Sequence, residues 1–165
     1  MGPFLEQLRT ETQETVILGK RQKDQILYLE VLESPQTIRY SSRAGEFKPL
    51  HSTCIGKAML GSLKATELTA WLKKQSLPKV TSSTITAQSR LVEDLEASEQ
   101  RGYYMTQGEN VADVTAIAVP VRVNNELLGL AVAGPSHRMD PHLDRHVQRL
   151  VDAQRRLRKE GIATA

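Results

Sequence analysis

The sequence predicts an α+β fold in which an antiparallel sheet is covered by packed helices. Three observations lead to this prediction. Strand-like segments alternate with segments of helical spacing, neighbouring strand segments are joined by short polar turns, and 165 residues suit one domain with a sizeable core. We therefore expect a single domain over residues 4–160, followed by a flexible tail at residues 161–165.

The N-terminal part of the chain predicts one helix and three strands. Apolar residues at helical spacing indicate a helix over Phe4–Thr10. Runs rich in β-favouring residues indicate strands at Thr15–Leu18, Gln25–Leu32 and Thr37–Ser42. The polar stretch Gly19–Asp24 is expected to be the turn that joins the first two strands.

The middle of the chain predicts three helices. They are expected at Thr53–Leu63, Thr66–Lys74 and Leu91–Arg101. Ser52 or Thr53 is suited to cap the first of them, because a hydroxyl accepts a hydrogen bond from a free N–H group at a helix start. Gly102 is expected to close the third, because glycine readily adopts the left-handed conformation that ends many helices.

The C-terminal part predicts three strands and a closing helix. The strands are expected at Tyr103–Thr106, Val114–Val123 and Glu126–Ala133. Asn124-Asn125 predicts a hairpin between the last two strands, since asparagine tolerates positive φ. Asp140-Pro141 marks a helix start, and an apolar stripe continues from there to about Lys159.

Composition and charge exclude several classes of protein. The net charge is a mild +3, and the one local basic cluster, Arg155–Lys159, is expected to be the solvated end of a helix rather than a nucleic-acid patch. A single cysteine excludes an internal disulfide. There is no apolar run long enough to span a membrane and no secretion signal pattern, so we expect a cytoplasmic protein that has no contact with a membrane.

One motif surrounds Glu109. Gly102 stands seven residues before this glutamate, and Ala116-Ile117-Ala118 begins seven residues after it, followed by Pro120-Val121. Two further motifs accompany it: His51-Ser52-Thr53-Cys54-Ile55-Gly56-Lys57-Ala58 at a helix start, and Gly134-Pro135 at the end of the last strand. Taken in chain order, and over nearly all of Phe4–Leu157, these motifs resemble the effector-binding domain of the IclR family of bacterial transcription regulators.

The resemblance implies a GAF-like fold and a ligand-sensing function without enzymatic activity or cofactor. In this family a small molecule, here expected to be a carboxylate, binds between the sheet and the loop that opens a helix. The domains pair into homodimers, often into homotetramers. A winged helix-turn-helix domain, missing from this chain, binds operator DNA and commonly acts as a repressor. We therefore expect a small-molecule effector, further copies of the chain, and operator DNA through that domain as partners.

Candidate ligand-binding residues lie on two elements. The helix start at Thr53, Cys54, Ile55 and Gly56 offers free N–H groups and the positive end of a helix dipole, which suit a carboxylate. Opposite this start, the resemblance implies a pocket built by strand residues: Thr106, Val114, Ala116, Ala131 and Ala133. The alanines leave volume for an aromatic or extended acid, although small residues also serve to pack a helix tightly against a sheet.

Four residues of the motifs are expected to have structural roles. Glu109 is expected to bond backbone N–H groups and hold its loop over the site, with direct ligand contact as the alternative. His51 is expected to bond a loop, and Lys57 to pair with a carboxylate inside the protein. Gly102 is the helix cap described above.

Two other functions remain open from the sequence. Cys54 lies three residues after His51 near a helix start, which is typical of an activated thiol, so a redox sensor or enzyme is one alternative. A ligand-free oligomerisation module is the other. His142 and His146 have the spacing of a zinc pair on a helix but lack the metalloprotease pattern between them, so we expect solvated histidines and no metal site.

Overall fold

The computed structural model describes residues 1–165 and contains six strands. These are β1 (Thr15–Gln22), β2 (Gln25–Leu32), β3 (Phe47–Pro49), β4 (Tyr104–Gln107), β5 (Val114–Val123) and β6 (Glu126–Pro135). They form one sheet in the order β3-β2-β1-β6-β5-β4, and every neighbouring pair is antiparallel. The chain therefore passes from the β3 edge to the β4 edge through the helices of its middle part.

Six helices cover the sheet. They are α1 (Gly2–Thr12), α2 (Cys54–Gly61), α3 (Ala65–Lys74), α4 (Gln88–Arg101), α5 (Ser136–Met139) and α6 (Leu143–Lys159), with a 3-10 turn at Asp140–His142 between the last two. Together with the sheet they confirm the predicted α+β class. No helix has the length and apolar character needed to cross a membrane.

The two faces of the sheet differ in the size of their side chains. On the face covered by α2, α3 and α4, strands β5 and β6 present four alanines to the core: Ala116, Ala118, Ala131 and Ala133. On the face covered by α1 and α6, the alternate residues of the same strands are larger, such as Ile117 and Leu130. Because successive side chains of a strand point to opposite faces, this alternation leaves room for a cavity on the α2 face.

Three turn and cap predictions are confirmed. The Thr53 hydroxyl accepts a hydrogen bond from the Gly56 N–H and caps α2. Gly102 ends α4 with φ of 92°, a left-handed conformation that glycine adopts without steric cost. Asn124 and Asn125 have φ of 49° and 65°, as the tight hairpin between β5 and β6 requires.

The predicted strand at Thr37–Ser42 is wrong. This stretch is irregular, and the edge of β2 pairs instead with β3, where Phe47 lies opposite Leu27. The backbone of the stretch bonds to side chains rather than to a neighbouring strand: Thr15 and Arg138 donate hydrogen bonds to the carbonyls of Tyr40 and Ile38. Strand propensity was therefore overridden by these tertiary contacts.

The C-terminal end corrects two further predictions. The closing helix α6 begins at Leu143, because Asp140-Pro141 forms a 3-10 turn before it. Residues 161–165, predicted to be a flexible tail, pack against the body of the protein. Ala163 is buried and its N–H donates to the Leu157 carbonyl, while Thr164 bridges to Arg122 of β5. Ala163 is buried and Ile162 is partly buried in the core on the α6 face, which anchors this end.

Candidate functional site

A cavity on the α2 face of the sheet opens to solvent, and its interior, mouth and adjoining solvent together comprise about 360 Å³ of space. The sheet forms its floor, the start of α2 forms one end, and two loops form its walls. Its lining residues are Ile17, Tyr28, Tyr40, Thr53, Cys54, Thr106, Asn110, Val111, Val114, Ala116 and Ala133. No Lys, Arg, His, Asp or Glu side chain is among them, so every polar group in the lining is uncharged.

Six of the nine predicted ligand-binding residues line this cavity: Thr53, Cys54, Thr106, Val114, Ala116 and Ala133. The other three, Ile55, Gly56 and Ala131, do not. Ile55 points to the sheet and packs over Gly129, where a Cβ atom would lie only 2.6 Å from the Ile55 Cγ2. Gly56 faces the Leu50 backbone, whose carbonyl oxygen would lie 2.1 Å from an added Cβ. Ala131 pairs with Ala118 and is fully buried in the core.

Five lining residues were not predicted from the sequence: Ile17, Tyr28, Tyr40, Asn110 and Val111. Ile17 and Tyr28 occupy positions of β1 and β2 that face the cavity, so the alternation of side chains along a strand could have identified them. Tyr40, Asn110 and Val111 belong to loops. Their positions depend on long-range contacts that no local pattern reports.

The start of α2 supplies backbone donors to the cavity. The Thr53 hydroxyl accepts from the Gly56 N–H at 3.2 Å and donates to the Pro49 carbonyl, so this side chain is fully engaged as a cap. The N–H groups of Cys54 and Ile55 donate to no backbone carbonyl, and the acceptor near them is the Cys54 sulfur, a weak one. They remain as the free positive end of the helix, which favours a negatively charged or strongly accepting group.

Cys54 is a buried thiol with no sign of activation. Burial raises its pKa to about 12, even though the nearby N–H groups and Lys57 favour the thiolate. The thiol is therefore protonated at neutral pH, whereas a nucleophilic cysteine needs the thiolate form. His51 does not activate it, because the His51 Nε2 lies 2.8 Å from the Pro78 carbonyl oxygen, a loop contact of the kind expected from the sequence.

Lys57 lies next to the cavity at the centre of a buried charge network. Its ammonium group is fully buried and donates to Glu109 at 2.6 Å and to the Met105 carbonyl at 3.1 Å. Asp94 of α4 lies 2.8 Å from it on the other side. Two carboxylates thus surround the single cation, and Lys57 is not free to bind an anion in the cavity.

Glu109 fixes the loop that forms the cavity mouth. Besides Lys57, its carboxylate accepts the Gln107 N–H at 3.0 Å, which is the structural role expected for it. The Thr84 hydroxyl donates to the Glu109 carbonyl at 2.7 Å. The next residues, Asn110 and Val111, are thereby held at the cavity. Ser52 donates to the amide oxygen of Asn110, whose amide N–H groups have no protein acceptor.

Two tyrosines stand on the opposite side of the cavity from this loop. Tyr28 of β2 is only 5 % exposed, and burial together with the neighbouring Tyr40 raises its pKa well above the ordinary value. Its hydroxyl is therefore a neutral hydrogen-bonding group at any physiological pH. Tyr40 comes from the irregular segment that follows β2, so the position of that segment sets the shape of the cavity.

The two C-terminal histidines do not share one environment. His142 is exposed, as predicted, but the prediction of a solvated His146 is wrong, because this ring is 5 % exposed. Neither ring nitrogen of His146 has a hydrogen-bond partner, and burial lowers its pKa. No group of three or more His, Cys, Asp or Glu side chains is placed to hold a metal ion.

Comparison with known proteins gives consistent results for sequence and fold. Residues 1–159 match the family described as "Bacterial transcriptional regulator IclR C-terminal". The HTH-type transcriptional regulator BhcR of Paracoccus denitrificans is 33 % identical over 158 residues, which are 94 % of this chain and 57 % of that protein. The chain therefore spans little more than half of that curated relative.

Two solved domains have the same fold over nearly their whole length. The C-terminal domain of the Escherichia coli regulator KdgR is 28 % identical, with a TM-score of 0.81 and coverage of 93 % of this chain and 91 % of that chain. The inducer-binding domain of PobR from Acinetobacter, a double mutant in complex with 3-hydroxybenzoic acid, is 26 % identical, with a TM-score of 0.84 and coverage of 94 % of each chain.

Proposed function

Because the chain belongs to the IclR family of bacterial transcriptional regulators and contains their C-terminal effector-binding domain, we propose that the cavity at the start of α2 binds a small metabolite and reports its presence. The observation that carries this proposal is the cavity itself. It joins the free N–H groups of α2 to an apolar floor and a ring of uncharged polar side chains.

The chemistry of the lining favours an aromatic or extended acid with a single carboxylate. Eight of the eleven lining residues are hydrophobic, which suits the body of such a molecule. The helix start offsets one negative charge. A compact acid with two or three charges would lose its hydration without any cationic side chain to replace it. The complex of the PobR domain with 3-hydroxybenzoic acid is one example of such a ligand in a related domain.

The proposed regulation couples this cavity to subunit pairing. An effector shifts the domain only if it binds one arrangement more tightly than another. The favoured arrangement would alter the pairing of copies in a homodimer or homotetramer. That change would reposition a DNA-binding domain on operator DNA in the cytoplasm. The names of curated relatives as HTH-type transcriptional regulators support the DNA-binding part of this proposal.

Thermal-shift melts against a panel of acids test the ligand class. The panel contains glyoxylate, pyruvate, sugar acids and hydroxybenzoates such as 3-hydroxybenzoate. A ligand at a hundred times its Kd stabilises the folded state by about 2.7 kcal/mol. For a domain of this size, that corresponds to a rise in Tm of roughly 5–11 °C. We expect such a rise with an aromatic acid and none with glyoxylate.

A matched pair of variants locates the binding. Ala116→Leu fills the cavity and should abolish the ligand-dependent rise in Tm. Ala70→Leu adds the same side chain at an exposed position of α3 and should leave it unchanged. A flat response to the whole panel would contradict the carboxylate proposal and favour an oligomerisation module. An equal rise in both variants would place the site elsewhere.

A further inference from the structure

The irregular segment of residues 34–42 forms one wall of the cavity without belonging to the sheet. Its residues 35–39 are exposed, and the Ile38 side chain is 67 % exposed, so these five residues contribute no apolar packing. Tyr40 differs from them, because it lines the cavity and packs against the core on the α2 face. The backbone around Tyr40 is held by polar contacts with other parts of the chain.

The first of these contacts is an ion pair with a buried carboxylate and a partly exposed arginine. Glu14, at the junction of α1 and β1, is 1 % exposed and accepts two hydrogen bonds from Arg138 of α5, one of them from Nη2 at 2.9 Å. The same Nη2 donates to the Ile38 carbonyl at 2.8 Å. A Cβ atom on Gly134 would lie 2.3 Å from the Glu14 carboxylate, so the pair occupies space that only a glycine leaves free. Arg138 thus joins the segment to the α1–β1 junction.

A second set of contacts reaches the same junction. The Thr15 hydroxyl donates to the Tyr40 carbonyl at 2.6 Å and accepts the Ser34 N–H at 3.0 Å. The Ser34 hydroxyl donates to the carbonyl of Gln13, the residue that ends α1. These contacts of the segment therefore all lead to three consecutive residues, Gln13 to Thr15, either directly or through Arg138.

We propose that Glu14 and Arg138 are positioning residues for the cavity, because they fasten the segment that carries Tyr40 to the junction of α1 and β1. This inference rests on the proposed function for its consequence: a compound that contacts Tyr40 favours the fastened segment and so acts on the end of α1. The two effects are linked. The factor by which release of the segment weakens binding of the compound equals the factor by which the compound stabilises the attached segment. The role of Arg138 is therefore to connect the cavity with α1 without touching the compound.

Amide hydrogen exchange tests the fastening without any ligand. Arg138→Met removes the ion pair. Arg138→Lys keeps a cation opposite Glu14 but removes the guanidinium group that donates to both Glu14 and the Ile38 carbonyl. We expect exchange of the Ser34 and Gln36 amides, which both have an acceptor in the wild-type protein, to become roughly ten- to a hundredfold faster in both variants, the effect of losing a hydrogen bond to a charged group. Exchange in α2 should stay unchanged in Arg138→Lys. Arg155→Met, at an arginine whose side chain is 70 % exposed, is the control and should alter neither region.

The position of Tyr40 gives a second readout. Nitration by tetranitromethane, followed by mass spectrometry, should label Tyr40 faster in Arg138→Lys than in the wild-type protein, with Tyr103 as the internal reference. Unchanged exchange of the Ser34 and Gln36 amides, or unchanged nitration of Tyr40, would overturn the positioning role. A general loss of protection throughout the protein in Arg138→Lys would do the same, since it would show a purely structural pair.

Titration with 3-hydroxybenzoate separates this inference from the proposed function. We expect its Kd to rise at least about fivefold in Arg138→Lys, the lower end of typical coupling between sites. An equal Kd in both proteins would contradict the connection between the fastening and the cavity. If no acid of the panel binds the wild-type protein while exchange and nitration change as expected, the proposed ligand class is wrong and the positioning role of Arg138 stands.

Discussion

Replacement of Lys57 by methionine tests whether the buried network beside the cavity holds the domain together. The Lys57 ammonium is fully buried and lies within 2.8 Å of two carboxylates, of which Glu109 is 12 % and Asp94 is 26 % exposed. Methionine has a similar length but no charge, so both carboxylates lose their cation. Breaking a buried pair in this way typically costs about 3–5 kcal/mol of unfolding free energy. For this domain that is a fall in Tm of roughly 6–20 °C.

Lys20→Met is the matched control, because it makes the same chemical change in an exposed pair. The Lys20 ammonium lies 2.8 Å from Glu126, but the two side chains are 31 % and 54 % exposed. Such a pair contributes less than about 1 kcal/mol. Since the distances are alike, burial alone should separate the two variants in urea unfolding. Equal losses in both would refute the reasoning. Adding Glu109→Gln to Lys57→Met should recover part of the loss, because one uncompensated charge is then removed.

Three further predictions concern single residues. Gly56→Ala places a Cβ atom 2.1 Å from the Leu50 carbonyl oxygen. It should cost about 3 kcal/mol or more in urea unfolding, whereas Gly2→Ala, with nothing near its added Cβ, should be neutral; equal values would contradict the close approach. Burial lowers the pKa of His146 in the folded protein below its ordinary 6.5, so the unfolded chain binds the proton more readily and stability should fall as the pH drops through about 6.5. His146→Leu should show a smaller fall between pH 7.5 and pH 5 in urea unfolding, and parallel pH curves for the two proteins would contradict this origin. The Cys54 thiol, with its pKa near 12, should react with Ellman's reagent at pH 7.5 only after unfolding; rapid reaction of the folded protein would restore the redox alternative.

Much of the fold was predictable because it depends on local chemistry. The hydroxyl of Thr53, the glycine at position 102 and the two asparagines at 124 and 125 act within a few residues of themselves, and each acts as predicted. Four of the five strand residues implied by the resemblance line the cavity: Thr106, Val114, Ala116 and Ala133. Within α2, the register was harder to assign. A helix turns about 100° per residue, so Cys54 faces the cavity while Ile55 faces the sheet.

The remaining part of the site depends on contacts between distant residues. Tyr40 lies in a stretch whose composition favours a strand, yet hydrogen bonds from Thr15 and Arg138 hold that stretch away from the sheet. Arg138 follows Glu14 by 124 residues, and no spacing in the sequence connects them. Asp94 likewise reaches Lys57 from another helix. Such partners are found only when the fold is known.

A small acid is proposed to bind between α2, Tyr40 and the alanines of the sheet. Methyl NMR of alanine-labelled protein, titrated with 3-hydroxybenzoate or another stabilising acid from the panel, tests it most directly. Ala116 and Ala133 line the cavity, whereas Ala153 of α6 is buried on the opposite face of the sheet. We predict saturable shifts of the Ala116 and Ala133 methyl signals with little change at Ala153. Saturable binding that leaves both cavity methyl signals in place would contradict the account.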